Sequence, residues 1–386
     1  MKKFVGLVLI FFSLSLILFN NNKTTASADE LSDNIQQQLE NIDLSELEEF
    51  LSLENNLPNN VDFIQMIYDL LNGEYDYGIN DVFSYSIMIL ANEAYSKIPL
   101  IISIISITIF CSLMKNIKGD KLGEGVYTII NLVCVLTISV LIGKEIISLF
   151  NTTKNTIENI AKINAIMSPI MLTLMVSSGG KVSAGIYSPV VTFLSNGIIG
   201  IINSFVLPIV CVLIAFSIIS NLSDKVKLNK LSDFFQSIIK WVIGLSITIF
   251  TIFITVQGIT ASTYDGISIK AAKYAISNSV PLIGGFLSGG FEIVVAGSVL
   301  IKNTFGIVSV FILFYTIISS VISMGIFSIL LKFSSGIIET IGNSTISSFC
   351  MSVSKCISYL IAITLMVGFM FFICVLLMTL TANSFF

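Results

Sequence analysis

From residue 98 to the C-terminus the chain returns repeatedly to apolar runs long enough to cross a bilayer, and it turns between them on lysine-bearing loops. A hydrocarbon core about 30 Å thick needs about 20 consecutive apolar residues in a helix. Runs of that order occupy 98–114, 126–142, 204–220, 238–256, 305–331 and 357–380. Backbone N–H and C=O groups in lipid must bond one another, and a helix does this within one segment. The expected fold class is therefore all-α, a polytopic transmembrane helix bundle. Composition agrees: 54% of the 386 residues are hydrophobic, 11% are charged, and the mean hydropathy is +0.93. A soluble domain carries about a quarter charged residues.

Charge is distributed unevenly. Residues 1–28 have the form of a secretory signal: Lys2 and Lys3, an apolar core from Phe4 to Phe19, and the small residues Ala26-Ser27-Ala28. Residues 29–96 hold 15 of the 24 acidic residues and no lysine. Their apolar residues fall at helical spacing, with Ile35, Leu39 and Ile42 in one set and Phe63, Ile67, Leu70 and Leu71 in another. This region is expected to be a small acidic helical head on the extracytosolic side. Residues 97–386 form the membrane domain and carry 17 lysines against nine acids. Clusters at Lys115, Lys118 and Lys121 and at Lys225, Lys227 and Lys230, with Lys332, are expected to face the cytosol by the positive-inside rule. The expected localisation is a multi-pass cell-membrane protein, with the lipid bilayer as its first partner.

Two stretches depart from simple spans. In the first, polar residues 151–166, with Ile157, Ile160 and Ala161 on one face, are expected to lie in the outer interface. A hairpin over 167–202 follows, broken at Ser177-Ser178-Gly179-Gly180. In the second, polar residues 257–279 precede a hairpin over 281–301, broken at Ser288-Gly289-Gly290. The two triplets lie 110 residues apart, and Pro169 and Pro281 precede them at similar distances. The pattern reads as an internal duplication over 126–237 and 238–356. Short Gly-interrupted apolar pieces at corresponding positions of two halves point to a solute pathway, although Gly and Ser also serve to pack helices closely. The residues Ser177, Ser178, Gly179, Gly180, Ser288, Gly289 and Gly290 are the candidates. Glu292 joins them, since a carboxylate at mid-bilayer costs about 2.5–3.5 kcal/mol and so sits near an interface or faces a polar interior.

The sequence also excludes functions. It contains no His, and all 20 basic residues are Lys. That removes His-based acid–base, triad and metal chemistry. It also removes Arg clamps for nucleic acid. The six cysteines form no CxxC pair. Gly180-Lys181 lacks the spacing of a phosphate-binding loop, so the chain is not expected to energise transport itself. No catalytic residue, metal site or cofactor is expected, and an enzyme is not.

Several stretches carry a resemblance. They are Met175-Val176-Ser177-Ser178-Gly179-Gly180-Lys181-Val182-Ser183-Ala184, then Val256-Gln257-Gly258, Asp265-Gly266-Ile267 and Ala272-Lys273. Pro281 with Ile283-Gly284, and Lys302-Asn303-Thr304 with Gly306, complete the set. In this order, among these apolar segments, the chain resembles the stage III sporulation protein AE family over essentially its whole length. The resemblance implies a mother-cell protein, acting after engulfment in a multi-protein complex of the membrane around the forespore. That complex meets a forespore membrane partner to form a channel, resembles secretion machinery and uses a separate ATPase subunit. This chain would be its polytopic membrane core, and self-association into a homo-oligomer is left open. The family offers no catalytic residues to carry over, and the roles of Gln257, Gly258, Asp265, Gly266, Lys273, Lys302 and Asn303 are undefined. The absence of Arg departs from typical members. The alternative reading is a stand-alone transporter for a small solute or ion, with its site at the broken hairpins.

Overall fold

The computed structural model describes residues 28–40, 42–54, 57–58, 61–73, 79–116, 124–222, 228–279 and 284–381. The expected signal, save Ala28, lies outside them, as do Lys118, Lys121, Lys225 and Lys227. All regular structure among the described residues is helical. Three short helices, α1 (Ala28–Glu40), α2 (Ser45–Leu53) and α3 (Phe63–Asn72), make the head. The long helices follow as α4 (Ile79–Asn116), α5 (Glu124–Ser177), α6 (Lys181–Thr192), α7 (Leu207–Leu222), α8 (Asn229–Ser279), α9 (Gly284–Thr340) and α10 (Ser344–Leu380). Between α6 and α7 the chain stays helical through π turns at Phe193–Ile198 and Ile202–Val206. Six stretches are long and apolar enough to cross a membrane: Val82–Met114, Ile129–Ser177, Lys181–Ser220, Lys230–Thr255, Glu292–Thr340 and Ser344–Leu380. The chain is an all-α, multi-pass membrane protein.

α9 and α10 form the centre. They run antiparallel in one register, shown by the pairs Ser335–Ser347, Ser328–Ser354 and Lys302–Thr381. Each serine pair is reciprocal: Ser335 Oγ donates to the Ser347 carbonyl at 2.9 Å, and Ser347 Oγ donates back at 3.0 Å. Small hydroxyl residues let two backbones approach and satisfy their own polar atoms in an apolar interior. Around them pack Phe305, Ile312, Phe327, Leu360, Ile363 and Phe371, all essentially inaccessible.

Two expectations need correction. Residues 151–166 do not form a separate interfacial helix, because α5 is continuous over 54 residues and roughly 80 Å long. Ile157 and Ile160 are fully buried inside the protein, not laid on lipid. The exposed face of α5 carries Ile129, Leu132, Val133, Leu136 and Val140, and Lys144 is the first charge exposed on it. It turns polar at Asn151, Lys154, Asn155 and Lys162 as the same helix runs on beside the head. Second, Ser288-Gly289-Gly290 does not break the chain, since α9 passes through it without interruption. The gap between α8 and α9 falls on residues 280–283, which hold Pro281 and lie outside the described residues. A mid-helix Gly costs only about 1 kcal/mol, less than tertiary packing can offset.

The acidic head is not a detached spacer. Leu39, Leu47, Phe50, Phe63, Met66 and Ile67 are buried in the same core as the long helices. Asp62 caps α3, accepting from the N–H groups of Ile64 and Gln65 at 3.0 Å each. Phe63 then meets Tyr315 of α9 edge-on, with centroids 6.0 Å apart. Glu54, following α2, accepts a hydrogen bond from Asn159 of α5. α1 docks on α9 at a glycine. Gln38 Nε2 donates to the Val294 carbonyl at 3.2 Å, and Ser298 Oγ donates to Gln38 Oε1 at 2.8 Å. A Cβ on Gly297 would stand 2.9 Å from Asn34 Oδ1. Gly297→Leu is therefore expected to lift α1 off the bundle. Limited proteolysis should cut the head several-fold faster while the long helices melt as before; unchanged cleavage would show that the glycine contact does not hold α1.

Candidate functional site

The break after α5 is built from local hydrogen bonds. Gly179 adopts φ +91°, which a glycine tolerates and other residues rarely do. Gly180 N–H reaches back to the Met175 carbonyl at 2.8 Å, and Gly179 N–H to the Val176 carbonyl at 3.0 Å, closing a Schellman-type turn. Ser178 is buried, and its Oγ donates to the Met175 carbonyl at 2.9 Å. α6 then starts at Lys181 with Gly180 as N-cap, which has no side chain to satisfy the first N–H groups.

The missing cap comes from 83 residues later in the chain. Asp265 of α8 is fully buried. Its Oδ1 accepts from Val182 N–H at 2.9 Å and its Oδ2 from Ser183 N–H at 3.1 Å. A buried carboxylate is costly unless it is hydrogen-bonded. Here it meets two donors and the positive end of a helix dipole. Two stretches that were separate in the sequence, Met175–Ala184 and Asp265-Gly266-Ile267, thus form one structural element.

A second buried charge lies on α9. Lys302 is fully buried, and its ammonium donates to the Thr381 carbonyl just past the end of α10. A cation against the last carbonyls of a helix complements its dipole. One turn further on, Gly306 faces Thr379 so closely that an added Cβ would fall 2.0 Å from Thr379 Oγ1. Tyr187, two turns into α6, is buried with its hydroxyl near the Thr381 side chain. α6 therefore connects the Asp265 cap to the Lys302 clamp.

The remaining candidates fall as follows. Ser177, the last residue of α5, is exposed and lines a cleft of about 520 Å³ between α1, α5 and α9. Gly290 is exposed, and Ser288 and Gly289 lie in α9 with side chains outside the described residues. Glu292 is half-buried near the start of α9, ten residues before Lys302 and about 15 Å from it along the axis. Asn303 is half-buried. Gln257, Gly258, Gly266 and Lys273 lie in α8, their side chains outside the described residues. Gln38, Tyr187 and Thr381 were not foreseen. The glutamine run Gln36-Gln37-Gln38 in an otherwise acidic helix was the one local hint, since an amide can both donate and accept across an interface.

A family profile described as Stage III sporulation protein AE matches residues 61–382. A relative from Bacillus subtilis (strain 168), Stage III sporulation protein AE, is 26% identical over 311 residues, covering 80% of this chain and 77% of the relative. No solved structure matches.

Proposed function

The chain belongs to the stage III sporulation protein AE family, and from that premise we propose that it is the polytopic membrane core of a secretion-like channel complex joining mother cell and forespore. Its broader role, a multi-pass membrane protein of sporulation, follows from the family and from six membrane-crossing stretches. The observation that carries the proposal is the extent of the match, which takes in every one of those stretches. In this reading the mother-cell membrane around the forespore is the site of action, the head lies on the extracytosolic side, and forespore development depends on the complex.

The role is structural, not enzymatic. The buried charges at the site hold helix ends together: Asp265 caps α6 and Lys302 caps α10. The helix N-terminus at Gly180-Lys181, where a phosphate would otherwise bind, is already filled by the Asp265 carboxylate. This supports assigning ATP hydrolysis to a separate subunit. The other membrane subunits, and further copies of this chain, would meet the apolar outer faces of α4, α5 and α8.

Deletion in the native host is expected to arrest development after engulfment, so that heat-resistant spores fall to background and an intact copy restores them. Normal spore yield from the deletion strain would overturn the assignment. Half-buried Glu292 favours testing a second reading, a stand-alone transporter. That reading expects solute flux in proteoliposomes of the purified chain, lost in Glu292→Gln.

A further inference from the structure

An ion pair fixes how far α4 and α5 lie inside lipid. The Lys97 ammonium of α4 donates to Glu145 of α5, and Glu93, one turn before Lys97, accepts from Ser323 Oγ of α9 at 2.9 Å. The two helices are joined at their other ends by the polar, lysine-bearing stretch 117–123. From Asn116 up to Lys97 is about 28 Å along α4, and from Glu124 up to Glu145 about 32 Å along α5. Each distance matches one hydrocarbon thickness. The charges of both helices thus meet at the far border of the bilayer, where charged side chains are tolerated. A further 27 Å or so of α4, back to Ile79, stands beyond it.

Water surrounds that outer part. Past Glu145, α5 exposes Ser148, Asn151, Lys154 and Asn155. On the other side, Tyr85 of α4 meets Tyr315 edge-on at 5.0 Å beside Phe63 of the acidic head. Yet the outer face of α4 is apolar. Phe83, Ile87, Met88, Leu90 and Tyr95 are each half-exposed or more. A contiguous apolar patch outside lipid marks a protein interface.

We propose that this face pairs two copies of the chain, across a two-fold axis normal to the membrane. Copies inserted in one orientation carry the face at the same height, so α4 can meet α4. A two-fold contact sets residues near their own counterparts, so any charge on it would repel itself. Residues 29–96 hold 15 of the 24 acidic residues, but no exposed position from 82 to 96 is charged. Glu93 and Lys97 instead point inward to α9 and α5. Ser84 and Ala91, two turns apart, run down the middle of the face between the large side chains, and small residues there let two helix backbones approach. Taking about 200 Å² for a fully exposed large side chain, the five supply about 600 Å² per copy, and a pair buries about 1,200 Å², within the range of stable interfaces.

The test uses the full chain alone, in membranes of a host that does not sporulate, so its outcome is separate from the channel assignment. Ala91→Cys, in a Cys211→Ser background, is expected to form a disulfide-linked dimer on oxidation. Asn151→Cys, as far beyond Glu145 on α5 as Ala91 is beyond Lys97 on α4, should not. Ile87→Glu sets two carboxylates against each other and should cut the cross-linked fraction at least tenfold while the protein melts like the parent. In the Ile87→Glu background, Met88→Cys should react with a water-soluble maleimide. A dimer from neither Ala91→Cys nor Ser84→Cys, or one that survives Ile87→Glu, would overturn the proposal. An unreactive Met88→Cys in that background would show that lipid covers the face. Cross-linking that appears only when other sporulation membrane proteins are co-expressed would assign the face to one of them, and either result overturns pairing of copies.

Discussion

Asp265→Ala is expected to lower the stability of the folded chain by about 3 kcal/mol, from the loss of two charge-assisted bonds at a helix N-terminus. The substitution leaves the Val182 N–H and the buried Ser183 N–H without their acceptor. It also removes the negative charge facing the positive end of the α6 dipole. Asp265→Asn offers one carbonyl oxygen to the same two donors, so it should recover about half of the loss. Unfolding of the detergent-solubilised chain gives the stabilities, and protease cleavage between residues 178 and 183 gives the local effect. The cap has no structural weight if Asp265→Ala unfolds with the parent and the turn stays protected. Because the turn lies inside the matched region, Asp265→Ala is also expected to reduce spore yield, with Asp265→Asn intermediate.

The cap shows where sequence reasoning succeeds and where it stops. Apolar run length was enough to fix an all-α multi-pass bundle, because only internally bonded backbones survive in lipid. It could not give helix length, since an apolar window ends where hydropathy falls, and α5 continues through its polar stretch to Ser177. Periodicity correctly placed Ile157 and Ile160 on one face, but it does not say whether lipid or protein covers that face.

The two Ser-Gly-Gly triplets are the sharper case. Their letters match, yet Ser178-Gly179-Gly180 turns the chain and Ser288-Gly289-Gly290 sits inside α9. A helix break needs its freed N–H and C=O groups satisfied. At the first triplet the decisive acceptor, Asp265, comes from a distant helix that no local window contains. Both stretches stood out in the sequence; their meeting did not. The Lys302 clamp was hidden for the same reason, because its partner carbonyl at Thr381 lies 79 residues away.

Gly306→Ala is expected to cost about 3 kcal/mol, at the upper end of what overpacking a closed interface costs. The added methyl would stand 2.0 Å from Thr379 Oγ1, 2.9 Å from its Cγ2 and 3.0 Å from its Cβ. Rotation of the threonine cannot relieve this, since the Cβ is fixed to the backbone, so α9 and α10 must move apart. Separation there also pulls Lys302, one turn earlier, from the Thr381 carbonyl and strands a buried ammonium. Gly368→Ala is the control. Its methyl would meet Ile317 Cδ1 at 2.3 Å, but that atom is the far end of a flexible side chain that can swing aside. It should cost about 1 kcal/mol. Truncating the opposing residue tests the mechanism directly. Thr379→Ala removes the two closest atoms and gives up a hydroxyl that bonds only its own helix, at the Val375 carbonyl. The double variant Gly306→Ala with Thr379→Ala should therefore be more stable than Gly306→Ala alone, with a coupling of about 1–2 kcal/mol. If Gly306→Ala costs no more than Gly368→Ala, or if Thr379→Ala fails to relieve it, then close approach at this crossing is not what holds α9 and α10 in register.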